Sequence, residues 1–238
     1  MAAAAARRFV AEGARVVVIS REPAGCVDLG APYVQADLSD EAAAEAAFAT
    51  AIAELGRLDA TFAVAGGSGR RFGDGLLHET SLAAWDATLA LNATPAFLAA
   101  RESVRCMLAQ EPDADGVRGS VVLMASVSAL DPQPAWFGTH AYAAAKAAII
   151  GLTGIAAAAY VARGVRVNAV APATVATPMS LRAADDEATV EFLRVKQPLA
   201  GGMLDPEDVV DAAVYLCSAE SLRVTGQTLV VDGGWTVS

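Results

Sequence analysis

Three segments in succession decide how this chain folds: SVVLMAS at 120–126, the alanine-rich run YAAAKAAIIGLTGIAAAAYVA at 142–162, and VRVNAVA at 165–171. The outer two are short, rich in β-branched residues and apolar almost throughout, as strands covered on both faces must be. The middle one is built of strong helix formers. A strand, a long helix and a second strand form a parallel crossover, which is right-handed in such sheets.

The same alternation extends in both directions. Upstream, residues 2–12 read as a helix closed by Gly13, and RVVVIS (15–20) as a buried strand. YVQA (33–36) is a shorter strand. Ser39 then caps a helix from Asp40 to Leu55, with Gly56 after its end. ATFAVAG (60–66) reads as a strand entering a glycine-rich loop. Thr80 or Ser81 opens a helix to Gln110, and Pro95 within it must leave the Leu91 carbonyl without its helical partner, so a kink is expected there. Downstream, Asp205-Pro206-Glu207 starts a further helix, and TLVVD (228–232) is the last strand. The expected architecture is α/β: a Rossmann-like, doubly wound parallel sheet in three α/β/α layers. In such sheets ligands sit beyond the carboxyl ends of the strands, so the residues just after each strand carry the function.

The chain has 238 residues, which fits one large domain or at most two small ones; the reading adopted is a single domain over 1–238. Apolar residues make up 55%, much of it alanine, and aromatics only 6%. The formal charge is −10, from 17 basic and 27 acidic residues. Only Lys146 and Lys196 are lysines and the arginines are scattered, which argues against a nucleic-acid surface. No uninterrupted apolar run reaches the roughly 18 residues of a bilayer span, and the opening MAAAAARRFVAEGA lacks the pattern of a secretory signal. Cys26, Cys106 and Cys217 have no metal-type spacing and leave an odd thiol, so a reducing, cytoplasmic setting is expected. His78 and His140 cannot by themselves build a zinc site, and no metal is expected.

Tyr142 and Lys146 are four apart on one predicted helix and share a face. At about 5 Å and an effective dielectric near 20, an ammonium attracts a phenolate by roughly 3 kcal/mol. That would draw a tyrosine pKa down by about two units, towards ~8, a range useful for general acid–base work. A Tyr-Lys pair at this spacing is also common surface decoration. Here the helix is otherwise almost all Ala and Ile, and Ser126 ends the strand before it, where it can donate a hydrogen bond at the same crevice.

These motifs together resemble the short-chain dehydrogenase/reductase family. The matching stretches are ASV at 125–127, YAAAK at 142–146, VRVNAVAPATVATPM at 165–179, TGQTLVVDGGW at 225–235, LALN at 89–92 and ADL at 36–38. The resemblance covers nearly the whole chain. It implies hydride transfer between a nicotinamide cofactor and an alcohol/ketone pair. Tyr142 would exchange a proton with the substrate oxygen, Lys146 would hold the nicotinamide ribose and lower the Tyr142 pKa, and Ser126 would polarise the carbonyl. Asn92 would anchor a water leading to Lys146. Asp37 and Leu38 would flank the adenine, and Pro172, Val175 and Thr177 would line the nicotinamide amide and phosphates. Ala65 and Gly66 would belong to the cofactor site. Position 20 bears on the cofactor: an acid there marks NAD(H), whereas Ser20 followed by Arg21 can accept a 2′-phosphate, so NADP(H) is favoured. The alternative is that Arg21 is a solvated strand-end charge. The resemblance also implies a homo-dimer or homo-tetramer joined through the helices 81–110 and 142–162 and the last strand.

The chain departs from the family at its front. Members begin with a strand and a glycine-rich turn that cradles the pyrophosphate; here residues 2–12 are already the first helix. The absent strand would lie between those at 15–20 and 60–66. Five buried side chains at ~1.5–3 kcal/mol each amount to about 10 kcal/mol. Either the natural protein begins further upstream, or the sheet closes over the gap in an unusual way. AGGSG at 65–69 follows the wrong strand and lacks the spacing to substitute. The family's Asn-Asn-Ala-Gly is Ala63-Val64-Ala65-Gly66 here, and its Pro-Gly is Pro172-Ala173. Trp136, Phe137 and His140, in a segment longer than usual, either wall an apolar substrate pocket or pack against core or a neighbouring subunit. Residues 179–202 occupy the place of the family's mobile substrate lid, and His78 is read as a loop residue. The competing function is a non-catalytic, dehydrogenase-like scaffold or regulatory subunit with impaired cofactor binding.

Overall fold

The computed structural model describes residues 1–23, 29–180, 183 and 185–238, so Cys26 and part of the 179–202 segment lie outside the described residues. The elements are α1 (Ala2–Ala11), β1 (Val18–Ser20), β2 (Tyr33–Gln35), α2 (Glu41–Leu55), β3 (Ala60–Ala63), α3 (Leu82–Ala109), β4 (Gly119–Met124), a short α4 (Pro134–Phe137), α5 (His140–Tyr160), β5 (Val165–Pro172), α6 (Glu187–Lys196), α7 (Pro206–Cys217) and β6 (Thr228–Val231). Every strand pairing is parallel, and helices flank both faces, which is the Rossmann-like α/β architecture.

The two central strands explain the pattern. β4 and β5 are buried along their whole length. Their side chains alternate between faces with the strand period of two. Val121, Leu123, Val167 and Ala169 join the core with Phe48 of α2, Met107 of α3 and Ile149 of α5. Val122, Met124 and Val170 join Val209 and Leu216 of α7 on the other face. α1 packs beside α7 through Ala4, Ala5 and Val210.

The sheet is not continuous. β1 and β2 form one two-stranded sheet, and β3-β4-β5-β6 form a separate four-stranded one. Between the facing edges of β1 and β3 lies a cavity of about 990 Å³, walled by Phe9 of α1, Phe48 and Leu55 of α2 and Pro95 of α3. The gap falls where the family resemblance implies it, and the described strands do not close over it. This also explains why RVVVIS is ordered as a strand only over Val18–Ser20: β1 has a ladder partner on one side alone.

Two boundaries differ from the sequence expectation for local reasons. The cap of α2 is Asp40, whose side chain accepts the Ala43 N–H, because Ser39 is engaged by Asp37 instead. α5 begins at His140 rather than at Tyr142, because residues outside the helix bond its first amides. α3 runs from its Ser81 cap to Ala109 through Pro95. By length and composition the stretch His140–Arg163 could cross a bilayer, with mean hydropathy 1.6. Its buried side chains, Lys146 among them, belong to α5, which packs on α3 and β5.

Candidate active site

The predicted residues assemble at the carboxyl ends of the strands in two groups. The first surrounds the end of β4 and the start of α5. Ser126 follows β4 by two residues and opens a 3-10 turn over Val127–Ala129. Its Oγ accepts the Ser128 N–H at 3.2 Å and the Ser128 hydroxyl at 3.0 Å. Two acceptances leave the Ser126 proton to be donated, and Tyr142 is its partner. Ser128 thus orients Ser126, a role the sequence reading missed because a serine two residues on carries no signal of its own.

Lys146 is 3% exposed, and its Nζ donates to the Met124 carbonyl at 2.8 Å. Nζ lies 5.6 Å from the centre of the Tyr142 ring. The electrostatic expectation is corrected here. Burial pushes the Tyr142 phenol above its ordinary value, and the Ser126 hydrogen bond only partly offsets it. Burial also draws the Lys146 ammonium down to about 8. Desolvation disfavours the charged form of each group and is the largest cause of both shifts.

Asn92, fully buried in α3, donates from Nδ2 to the Thr88 and Gly67 carbonyls at 2.9 and 3.0 Å, and its Oδ1 accepts the Gly67 N–H at 3.1 Å. Its amide therefore pins the loop after β3 from both sides. Gly66 in that loop has φ +155°, and a Cβ there would lie 2.7 Å from Asn92 Oδ1 and 3.5 Å from Lys146 Nζ. Only a glycine brings the backbone this close to both. Across the sheet, Pro172 ends β5 and Val175 bridges to Leu204. The Thr177 N–H donates to Ser180 Oγ at 3.0 Å.

The second group lines the cavity between the two sheets: Ser20, Arg21, Asp37, Leu38, Ala65 and Gly66 all face it. Asp37 accepts the Ser39 N–H at 2.9 Å and the Ser39 hydroxyl at 2.6 Å, and these bonds hold its carboxyl below the usual range. Arg21 stands 3.8 Å from Asp37 and 3.9 Å from Glu22, half-exposed, so it is a loosely paired charge rather than a solitary one. Ser126, Tyr142, Lys146, Pro172, Val175 and Thr177 do not line this cavity.

Of the outlying residues, Trp136 stacks on Phe192 of α6 at 4.5 Å, and Phe137 packs on Phe192 and Trp235. The open choice for these rings resolves towards packing: they tie α6 to the loop after β4. His140 places its ring Nδ1 2.7 Å from the Gly75 carbonyl. His78 is exposed and lies 3.7 Å from Glu79. Sequence reasoning missed Asp74, a buried carboxylate that accepts the N–H groups of Ala141 and Tyr142. Its glycine-flanked position in GDG was visible, but its partners are 67 and 68 residues away.

The fit to a nicotinamide dinucleotide divides in the same way. Nζ of Lys146 carries three hydrogens and donates one to Met124. The close approach of Gly66 and the spare donors of a buried ammonium suit the ribose and nicotinamide end. At the pyrophosphate end, the described residues that line the cavity beside α1 are mainly apolar, and the first amides of α1 receive no side-chain cap.

A family profile described as enoyl-(acyl carrier protein) reductase matches residues 1–236. The chain is 37% identical over 240 residues to the inactive 2-(S)-hydroxypropyl-CoM dehydrogenase 2 of Xanthobacter autotrophicus, covering 97% of this chain and 99% of that one. It is 35% identical over 243 residues to short-chain dehydrogenase reductase 5 of Arabidopsis thaliana, covering 99% and 90%. Among solved structures, a short-chain type dehydrogenase/reductase from Mycobacterium ulcerans superposes with a TM-score of 0.86 at 28% identity, covering 98% of this chain and 85% of that one.

Proposed function

The chain belongs to the short-chain dehydrogenase/reductase family, and we propose that it is an oxidoreductase acting on an alcohol/ketone pair with NADP(H) favoured over NAD(H). The observation that carries this reading is the convergence of Ser126, Tyr142 and Lys146 at the carboxyl end of β4, with the lysine buried beside the tyrosine.

The nicotinamide supplies or takes the hydride when bound. Ser126, its lone pairs occupied by Ser128, donates its proton to the oxygen of the substrate or of Tyr142. Tyr142 keeps its proton through neutral pH, which leaves it able to donate to a ketone oxygen. Lys146 offers its unused donors to the ribose hydroxyls. Asn92 holds Gly67, and with it the loop that brings Gly66 against Lys146.

The preference for NADP(H) rests on Ser20 and Arg21. An exposed ion pair at nearly 4 Å contributes little, so Asp37 and Glu22 leave the Arg21 guanidinium available to a 2′-phosphate. Pro172, Val175 and Thr177 would line the nicotinamide amide, and Leu38 the adenine. A homo-dimer or homo-tetramer is proposed from exposed apolar side chains on the same helices and the C-terminal segment, Ile155 at 69% and Val237 at 89% exposed.

A second reading, a non-catalytic dehydrogenase-like protein, is favoured by one specific observation, the open gap between β1 and β3 where Ser20, Arg21 and Asp37 stand. One relative, too, carries the name of an inactive dehydrogenase. Titration with NADPH, followed by its fluorescence, and then turnover of a panel of ketones separate the two. Binding with turnover supports the enzyme; no binding at millimolar NADPH supports the scaffold.

A further inference from the structure

The first turn of α5 is held from outside the helix. Thr139 is its N-cap by backbone position, yet its side chain accepts no hydrogen bond from the helix. The N–H groups of the second and third helical residues are those a local cap would serve. They go instead to Asp74: Ala141 donates to Oδ1 at 2.9 Å and Tyr142 to Oδ2 at 3.0 Å. The His140 ring and N–H meet the carbonyl of the adjacent Gly75, at 2.7 and 3.4 Å. Three consecutive amides are thus bound by residues 74–75.

Asp74 is itself fixed. It is 4% exposed, and its N–H donates to the Gly69 carbonyl at 3.2 Å. Gly69 is pressed so closely on Thr88 that a Cβ would lie 2.2 Å from the threonine hydroxyl and 2.9 Å from the Asp74 Cβ. Asn92, one turn beyond Thr88 on α3, grips Gly67. The loop from Gly67 to Gly75 is therefore a brace between α3 and the start of α5.

A buried carboxylate is costly unless donors meet its charge, and two backbone amides at the positive end of a helix do so. The chemistry is selective. An asparagine in the same place accepts one N–H with its oxygen and turns an NH₂ group towards the other.

We propose that Asp74 is the positioning residue of Tyr142. Its carboxylate binds the tyrosine's own amide, locks the first turn of α5, and so fixes the phenol relative to Ser126 and Lys146. The assignment rests on the oxidoreductase reading above.

The test uses the full chain with Asp74→Asn, Asp74→Ala, and Asp74→Ala combined with Thr139→Asp, which supplies a local cap. In D74N, kcat for ketone reduction is expected to fall by about ten- to a hundred-fold, the scale of a misplaced reacting group. KM for NADPH should stay within about two-fold, since uniform binding is untouched. Amide exchange should accelerate at Ala141 and Tyr142 while Ile149, deep in the same helix, keeps its protection. Thr139→Asp should recover most of the kcat lost in D74A. A D74N variant with wild-type kcat overturns the proposal. So does a loss that Thr139→Asp does not recover, accompanied by faster exchange throughout α5, because that is general destabilisation. Should the wild type turn over no ketone at all, the oxidoreductase reading fails, and the exchange at Ala141 and Tyr142 still decides whether Asp74 holds this turn.

Discussion

Lys146 lies with its Nζ 5.6 Å from the centre of the Tyr142 ring while donating a hydrogen bond to the Met124 carbonyl at 2.8 Å. The ammonium is tied to the strand end, and the phenol takes its hydrogen bond from Ser126. The two groups share one buried crevice without being bonded to each other directly, so each has a separable effect.

Removing the phenol hydroxyl by Tyr142→Phe should lower kcat by about a hundred- to ten-thousand-fold, the usual worth of a positioned proton donor. Lys146→Met should cost as much again in kcat/KM, and mainly through KM for the cofactor. Steady-state kinetics on both variants check this; wild-type turnover in Y142F would remove Tyr142 from the reaction.

The buried lysine makes stability depend on pH. Its folded value, about 8, lies below the 10.5 of the unfolded chain, so between these values the unfolded state binds more protons and stability rises with pH. The full effect is on the order of 3 kcal/mol. Tyr142 and Cys217, the latter pushed up to about 12, act in the opposite sense once their unfolded counterparts ionise. Denaturant unfolding of wild type and K146M in parallel isolates the lysine: the wild type should gain on the variant from pH 8 to about 10. A constant difference would refute the burial assigned to Lys146.

Arg21→Ala should raise KM for NADPH by about ten-fold, as loss of one charge-assisted contact does, and leave that for NADH nearly unchanged. Equal effects on both cofactors would assign Arg21 to its pairs with Asp37 and Glu22 alone.

The cavity between β1 and β3 has the walls of a missing strand: apolar helix faces above and below, and a free strand edge on either side. Fusing a glycine-containing turn and a strand of about five or six apolar residues ahead of Met1 should raise Tm by roughly 5–10 °C. A polar strand of equal length should not. Scanning calorimetry on both fusions checks this, and equal melting temperatures would show that the space does not accept a strand.

Much of the site was legible because its signals are local. Tyr142 and Lys146 are one helical turn apart, Ser126 ends an apolar strand, and Arg21 follows another. The brace was not legible, because Asp74 meets its partners only after α5 has folded back beside the loop. Nor was the cap of α2, where Ser39 and Asp40 are both good candidates and the choice fell to Asp37's need for a donor.

Resemblance to the family implied the place of the gap in the sheet, and the amino-acid sequence alone determined the order of strands and helices and their parallel pairing. Those follow from hydrophobic period, chain order and the handedness of crossovers, which need no coordinates. Only the tertiary structure decided the protonation tendencies of Tyr142 and Lys146 and the anchoring of their helix. The reason is that desolvation and hydrogen bonding depend on which distant groups enclose a side chain, and spacing along the chain does not encode that.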